Sequence, residues 1–373
     1  MLYRFDRYLL GLMMMVFVVG FCTVFGLYVV IDAFTNVDGF QYGHENDPIV
    51  WLLLRMGRYY GIQAFSFFDM TAPLLAAVSL ITVVALLHSK RMLYPLFSAG
   101  VSIDRIAAPL LAGVVLLLLA VMVNREVVLP RLAYALQLPL GKDAATGVEV
   151  EPVYDFATHI LLSGRRLFPG QRRILQPEFV LPTELASEVV TLRASEGVYV
   201  HSDGRRPGGW VLRDVTPRYG ELHLTAAGRA IILPGRTGED IFVATDVGVD
   251  QLYRRDATFR LLSTAELMRR IRNPSTPLTS VRAQVAHLHE RLTQPVLILL
   301  VGVLGGTIVL RRESRSLIAN VSLAIVAVGT AYVAHMAAVQ MGRTGLLPVD
   351  LAAWSPAVVV AALVAWLYPT VET

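Results

Sequence analysis

Residues 106–124 read Ile-Ala-Ala-Pro-Leu-Leu-Ala-Gly-Val-Val-Leu-Leu-Leu-Leu-Ala-Val-Met-Val-Asn, a run without one charged side chain. At a rise of about 1.5 Å per residue it matches the ~30 Å hydrocarbon core of a bilayer. Five further windows meet the same requirement: Tyr8–Ile31, Met70–Leu87, Leu292–Leu310, Leu317–Gly342 and Leu351–Val371. The second is expected to begin near Tyr59, because Tyr59 to Phe68 is uncharged and rich in aromatic residues of the kind that settle at headgroups. Asp69 then falls just inside it. The chain has 373 residues, of which 55% are hydrophobic and 17% charged. Its mean hydropathy of +0.55 fits an integral membrane protein with six spanning helices, three before and three after a long polar insertion.

That insertion is where the charges collect. Between Arg125 and Arg291 no membrane-length window occurs, and basic and acidic residues nearly cancel, as on a solvated domain. The sequence therefore divides into residues 1–130 with three spans, 131–280 as the water-facing domain and 281–373 with three more spans. The apolar run after Met1–Arg7 is too long for a signal-peptide core and lacks a small-residue cleavage site, so it is expected to be a retained first helix. Lys90, Arg91 and Arg105 in the loop His88–Arg105, and Arg311, Arg312 and Arg315 in Arg311–Ser316, put those loops and both termini in the cytoplasm. The loops Asp32–Arg58 and Arg343–Asp350 and the large domain then face the other side. A net charge of +4 with balanced outer charges gives no support to nucleic-acid binding.

From about Val148 to Arg260 the hydrophobic period shortens to two, with turn signals between short runs. Strands are expected at His159–Ser163, Val189–Arg193, Val198–His201, Gly209–Val215, Glu221–Thr225, Ala230–Leu233 and Asp240–Ala244. Many short strands without long helices point to an all-β sandwich, jellyroll or open barrel. A jellyroll interior could accept acyl chains, and an ordinary packed sandwich fits the pattern equally well. Ser263–Arg272 reads as a short helix capped by Ser263 or Thr264. Cys22, the single cysteine, lies in the first helix, so packing must stabilise the outer domain.

The chain offers no catalytic constellation. No G-x-x-x-x-G-K-[ST] loop is present to cradle nucleotide phosphates. Gly302 to Thr307 lies in an apolar helix, where small residues permit close helix packing. His287, His289 and Glu290 do not form a zinc motif, because histidines two residues apart point to different helix faces. No metal or cofactor is expected. His335, inside the fifth span, reads as a helix-contact residue, with no second ionisable group evident at its depth. Asp69 fits an aqueous vestibule or the interface. The doublets Arg165-Arg166, Arg172-Arg173, Arg205-Arg206 and Arg254-Arg255 could hold phosphorylated sugars by bidentate hydrogen bonds, although arginine outnumbers lysine throughout the chain.

Three ordered segments carry a resemblance. Leu96-Phe97-Ser98-Ala99-Gly100-Val101-Ser102 is similar to L-R-A-A-G-V-S, and His289-Glu290-Arg291-Leu292 with Pro295 is similar to H-R-R-L-x-x-P. Gly345-Leu346-Leu347-Pro348 with Ala352-Ala353-Trp354-Ser355-Pro356 is similar to G-L-L-P-P-x-x-A-x-W-x-P. Gly209-Trp210-Val211-Leu212-Arg213-Asp214-Val215 adds a G-W-x-L-x-D-V strand. Together, on a three-plus-three helix plan, they resemble the LptF/LptG (YjgP/YjgQ) permeases of lipopolysaccharide export across nearly the whole chain.

The resemblance implies a non-catalytic inner-membrane subunit paired with a second such permease and powered by a cytoplasmic ABC ATPase. It would extract lipopolysaccharide or a related glycolipid and pass it to a periplasmic jellyroll acceptor. The first and fifth helices would line the lateral opening, and His88–Arg105 would carry the coupling helix. Candidate ATPase contacts are Arg91, Met92, Tyr94, Pro95, Phe97 and Gly100; candidates along the lipid path are Asp32, Arg55, Arg58, Asp69 and His335. The sequence departs from the family at Met92, where an acidic residue is usual, and at Pro95, which fits only a first helical turn. Asp32 stands at the outer end of the first helix where the family has a basic residue. A membrane-anchored envelope-assembly protein without a transport cycle is the alternative.

Overall fold

The computed structural model describes residues 2–41, 48–137, 147–201, 207–235, 239–252, 258–272, 278–310 and 316–368. They form two compact units, Met1–Pro130 with Arg282–Thr373, and Arg131–Val281.

The first unit is helical: α1 (Leu2–Thr35), α2 (Val37–Gln41), α3 (Ile49–Ser89), α4 (Leu93–Ser98) and α5 (Ile103–Val123) lead through a π turn, Asn124–Val128, to α6 (Leu129–Gln137). After the second unit come α9 (Leu278–Leu310), α10 (Leu317–Thr344) and α11 (Val349–Leu367). Among the described residues six helices are long and apolar enough to cross a membrane. Three boundaries differ from the sequence expectation. The second spanning helix starts at Ile49 rather than near Tyr59; its 41 residues reach about 60 Å, so Asp69 lies mid-helix. Helix α1 runs on to Thr35, so most of the expected loop from Asp32 to Arg58 is helical. The stretch Arg282–Arg291 belongs to α9 itself. The end of the expected sixth window, residues 369–371, lies outside the described residues.

The helices pack through a core that includes Leu9 and Met13 of α1, Ala76 and Leu80 of α3, Val114 of α5, Leu297 and Val301 of α9, Val328 of α10 and Val360 of α11. In lipid, van der Waals fit rather than water exclusion holds such helices together, so small residues matter where backbones approach. The glycine run of α9 illustrates this. A Cβ on Gly305 would come 2.4 Å from Ile81 Cδ1 and 3.4 Å from Val328 Cγ2, whereas on Gly302 its nearest neighbour would be Leu80 Cδ1 at 3.6 Å. Gly305→Val is expected to lower stability by ~1–3 kcal/mol by overpacking, and Gly302→Ala to leave it nearly unchanged. Melting curves in detergent test this, and equal midpoints would refute it.

Among the described residues the second unit holds eleven strands: β1 (Val148–Glu149), β2 (Val153–Tyr154), β3 (Leu161–Ser163), β4 (Arg166–Phe168), β5 (Arg173–Leu175), β6 (Glu178–Leu181), β7 (Val190–Arg193), β8 (Glu196–Val200), β9 (Gly209–Arg213), β10 (Ile232–Pro234) and β11 (Ile241–Ala244). Helices α7 (Ala226–Ile231) and α8 (Thr264–Ile271) complete it. A seven-stranded sheet runs β1-β4-β5-β8-β9-β11-β10 and a four-stranded sheet β2-β3-β6-β7. All their pairings are antiparallel. Inward residues of both sheets share one core: Leu162, Phe179 and Leu192 meet Leu167, Ile174, Trp210, Leu212 and Val243. Phe179 and Trp210 touch edge to face across the sheets, with ring centroids 6.4 Å apart, and Trp210 Nε1 donates to the Val247 carbonyl at 3.0 Å.

Two expected strands are corrected. Glu221–Thr225 contains the end of a 3-10 turn, Tyr219–Glu221, and a single bridge from Leu224 to Ala186. Ala230 belongs to α7, capped by Thr225 Oγ1, which accepts from Gly228 N, and only Ile232 onward is extended. The short helix after the sheets is as expected, with the Ser263 side chain accepting from Glu266 N.

Candidate coupling segment and polar network

Helix α4 is held between two left-handed residues, Arg91 at φ 53° and Gly100 at φ 74°. Each ends the helix before it with the same bond pattern. Arg91 N donates to His88 O and Met92 N to Leu87 O, both at 3.0 Å, while Val101 N donates to Leu96 O at 3.0 Å. These bonds satisfy carbonyls that a helix end leaves open. Pro95 falls in the first turn of α4, where its missing N–H is not needed. Leu93 is buried and Leu96 packs on the core of the helical unit. Spaced three apart, they anchor one side of α4. Arg91, Met92, Pro95, Ser98 and Gly100 are exposed on the other side. The side chains of Tyr94 and Phe97 lie outside the described residues. Arg91, Met92, Pro95 and Gly100 thus share the exposed side of a helix rooted by Leu93 and Leu96.

A second assembly joins the helices by charge. Arg125, in the π turn, donates through Nε to Asp69 Oδ1 of α3 at 2.6 Å and through Nη2 to Gln294 Oε1 of α9 at 2.7 Å. Next to it, Asn124 Nδ2 donates to the Phe65 carbonyl at 3.0 Å. Arg291 lies 3.8 Å from Glu126. Glu290 accepts from Arg343 of α10 at 2.6 Å and contacts His287 at 3.1 Å, and His289 contacts Asp350 of α11 at 3.2 Å. Three arginines thereby face three carboxylates, Asp69, Glu126 and Glu290. Balanced pairs of this kind fix helix register rather than supply net stability, because desolvation offsets most of their attraction.

His335 of α10 is fully buried, and neither ring nitrogen finds a hydrogen-bond partner among the described residues. Asp32 accepts from Tyr60 Oη at 2.9 Å and Asn36 Nδ2 at 3.0 Å, tying α1 to α3. Arg55 donates to the Phe40 carbonyl at 3.3 Å, and Arg58 is exposed. The five lipid-path candidates therefore fall into three places: Asp32 with Arg55 and Arg58 near the α1–α3 ends, Asp69 with Arg125, and His335 inside α10.

Sequence reasoning missed Arg125, Glu126, Glu290, Arg291, Gln294 and Arg343. A signal was present: His287, Glu290, Arg291 and Gln294 are spaced by three, four and seven residues, which puts four polar side chains on one face of an apolar helix. Among the arginine doublets, Arg173 stacks over Phe168 at 5.0 Å, and Arg205-Arg206 and Arg254-Arg255 lie outside the described residues. Among the described residues no group of three or more His, Cys, Asp or Glu is placed to hold a metal.

A search of curated proteins returns no match. Residues 7–370 match the family model described as lipopolysaccharide export system permease LptF/LptG. With a match running from the first helix to the end of the last, over a six-helix membrane unit and an inserted pair of β-sheets, the chain belongs to the LptF/LptG family of lipopolysaccharide-export permeases.

Proposed function

We propose that this chain is one half of a permease pair in the bacterial inner membrane, joined to a second LptF/LptG-like chain and driven by a separate cytoplasmic ABC ATPase. In this reading both termini are cytoplasmic, and the β unit is a periplasmic jellyroll. The pair lifts lipopolysaccharide, or a related glycolipid, from the bilayer and hands it to a periplasmic jellyroll acceptor. The ATPase meets Arg91, Met92, Tyr94, Pro95, Phe97 and Gly100. Asp32, Arg55, Arg58, Asp69 and His335 lie along the lipid path. The observation that carries the reading is the geometry of α4 in a chain of this family. A short helix with an exposed face, rooted by Leu93 and Leu96 and stopped at both ends by left-handed residues, can turn a push from below into movement of α3 and α5. Further support comes from α1 and α10, the two barest of the six long helices, as expected where a lateral opening and a second permease meet.

Purification from the native membrane in mild detergent tests this. An ABC ATPase, a second six-helix permease and a glycolipid are expected in the same peak. Gly100→Leu is expected to keep the protein in the membrane while reducing ATPase recovery and ATP-dependent lipid release, since a side chain at φ 74° costs roughly 1–2 kcal/mol. Reproducible recovery of a stable, lipid-free chain without any ATPase would shift the assignment to the assembly-protein alternative.

A further inference from the structure

The β unit carries a polar cavity of about 700 Å³ whose walls come from the β4–β5 turn, β8, the segment after β11, and α8. Arg172, Tyr199 and His201 line it from the sheet, and Arg269, Arg270 and Arg272 from α8. Its carboxylates are Asp246 and Glu266. Glu266 is already engaged, bonded to Arg269 and 3.7 Å from Arg270. The four guanidinium groups therefore outnumber the carboxylates, and neither Arg172 nor Arg272 has a carboxylate partner among the described residues. Basic residues in the last turn of α8 suit the helix dipole, which accounts for Arg269 and Arg270. It does not account for Arg172 and His201, which reach the same cavity from the sheet.

Arg172 is held in place by its backbone. It sits at φ 52° after the 3-10 turn Pro169–Gln171, its N–H donates to the Pro169 carbonyl at 3.1 Å, and its carbonyl accepts from Tyr199 N at 3.0 Å. Tyr199 is braced between His201 and Trp210, with ring centroids 5.2 Å and 5.3 Å away. A fixed aromatic wall beside unneutralised guanidinium groups suits a ring with an attached phosphate. The planar fork binds phosphate oxygens in pairs, while the aromatic ring packs on the sugar's C–H face. The volume falls within the ~300–1,000 Å³ of small-ligand sites.

We propose that this cavity binds a sugar phosphate, with Arg172 and Arg272 holding the phosphate and Tyr199 the ring. The binding stands on these residues alone; only its use during export, as a contact for the headgroup of the passing glycolipid, rests on the function proposed above. The test titrates glucose 1-phosphate into the full chain in detergent, with glucose and inorganic phosphate in parallel. Glucose 1-phosphate is expected to bind more tightly than either, and to be weakened roughly tenfold in Arg172→Ala/Arg272→Ala. The pair Arg172→Lys/Arg272→Lys, which keeps charge and loses the fork, is expected to fall between them. Arg229→Ala, an exposed arginine elsewhere in the β unit, controls for net charge and should bind as the unaltered chain does. Equal binding by the alanine pair would overturn the proposal. So would a preference for phosphatidic acid in nanodiscs over glucose 1-phosphate, which would assign the cavity to membrane headgroups. Because the titration requires no ATPase, its failure is separable from failure of the copurification experiment.

Discussion

Arg125→Met is expected to destabilise the membrane unit by about 3–5 kcal/mol, because it leaves the carboxylate of Asp69 part-buried with its cation removed. The pair is tight, 2.6 Å, with side-chain exposures of only 13% and 23%. The same guanidinium serves Gln294, so the loss also removes a polar link between α3 and α9. The double change Asp69→Leu/Arg125→Met should recover most of the loss, since an apolar pair of similar volume avoids the cost of an uncompensated charge. Thermal melts in detergent, followed by size exclusion, decide the matter. A double variant no more stable than the single one would show that the arginine acts by packing and not by charge.

Trp210→Ala is expected to cost the β unit about 3–5 kcal/mol, enough to unfold a marginal domain. The indole is wholly buried, meets Phe179 from the opposite sheet and Tyr199 from its own, and donates to the Val247 carbonyl. Trp210→Phe keeps most of the apolar contact but leaves that carbonyl unsatisfied, for about 1–3 kcal/mol. Limited proteolysis of the full chain reads the effect: rapid cleavage within residues 147–252 in the alanine variant, intermediate in the phenylalanine variant. Cleavage as slow as in the unaltered protein would mean that the sheets hold without this ring.

The membrane helices were legible because uncharged windows of about 20 residues have few soluble uses. Where α3 extends outward from Tyr59 to Ile49, Arg55 and Arg58 broke the window and hid a continuous helix. In the β unit the runs around Gly209 and Ile241 were clear, since each alternates over four or five residues. Strands β4 and β5 were not: each has three residues, and each includes an arginine that reads as surface loop. Glu221–Thr225 misled for the opposite reason, because Leu222 and Leu224 alternate and are buried although they belong to a turn and a single bridge. The end of α4 was legible from Gly100, whereas the left-handed Arg91 before it was not, since arginine, unlike glycine, does not signal a left-handed helix end. The polar network could not be read as a network. Its charges are spread over five helical segments, and in one dimension each looks like the edge of an uncharged window although Asp69, Glu290 and Arg291 lie inside their helices.

The π turn at Asn124–Val128 has a bearing on how such a protein changes over generations. A π turn is in effect one surplus residue wound into an α-helix. Each residue of an α-helix turns the chain by about 100°, so a gain or loss of one residue before the turn would ordinarily rotate Arg125 away from Asp69 and Glu126 away from Arg291. Coiling the surplus into a single turn confines that rotation to a few residues and leaves the long apolar stretch before it undisturbed.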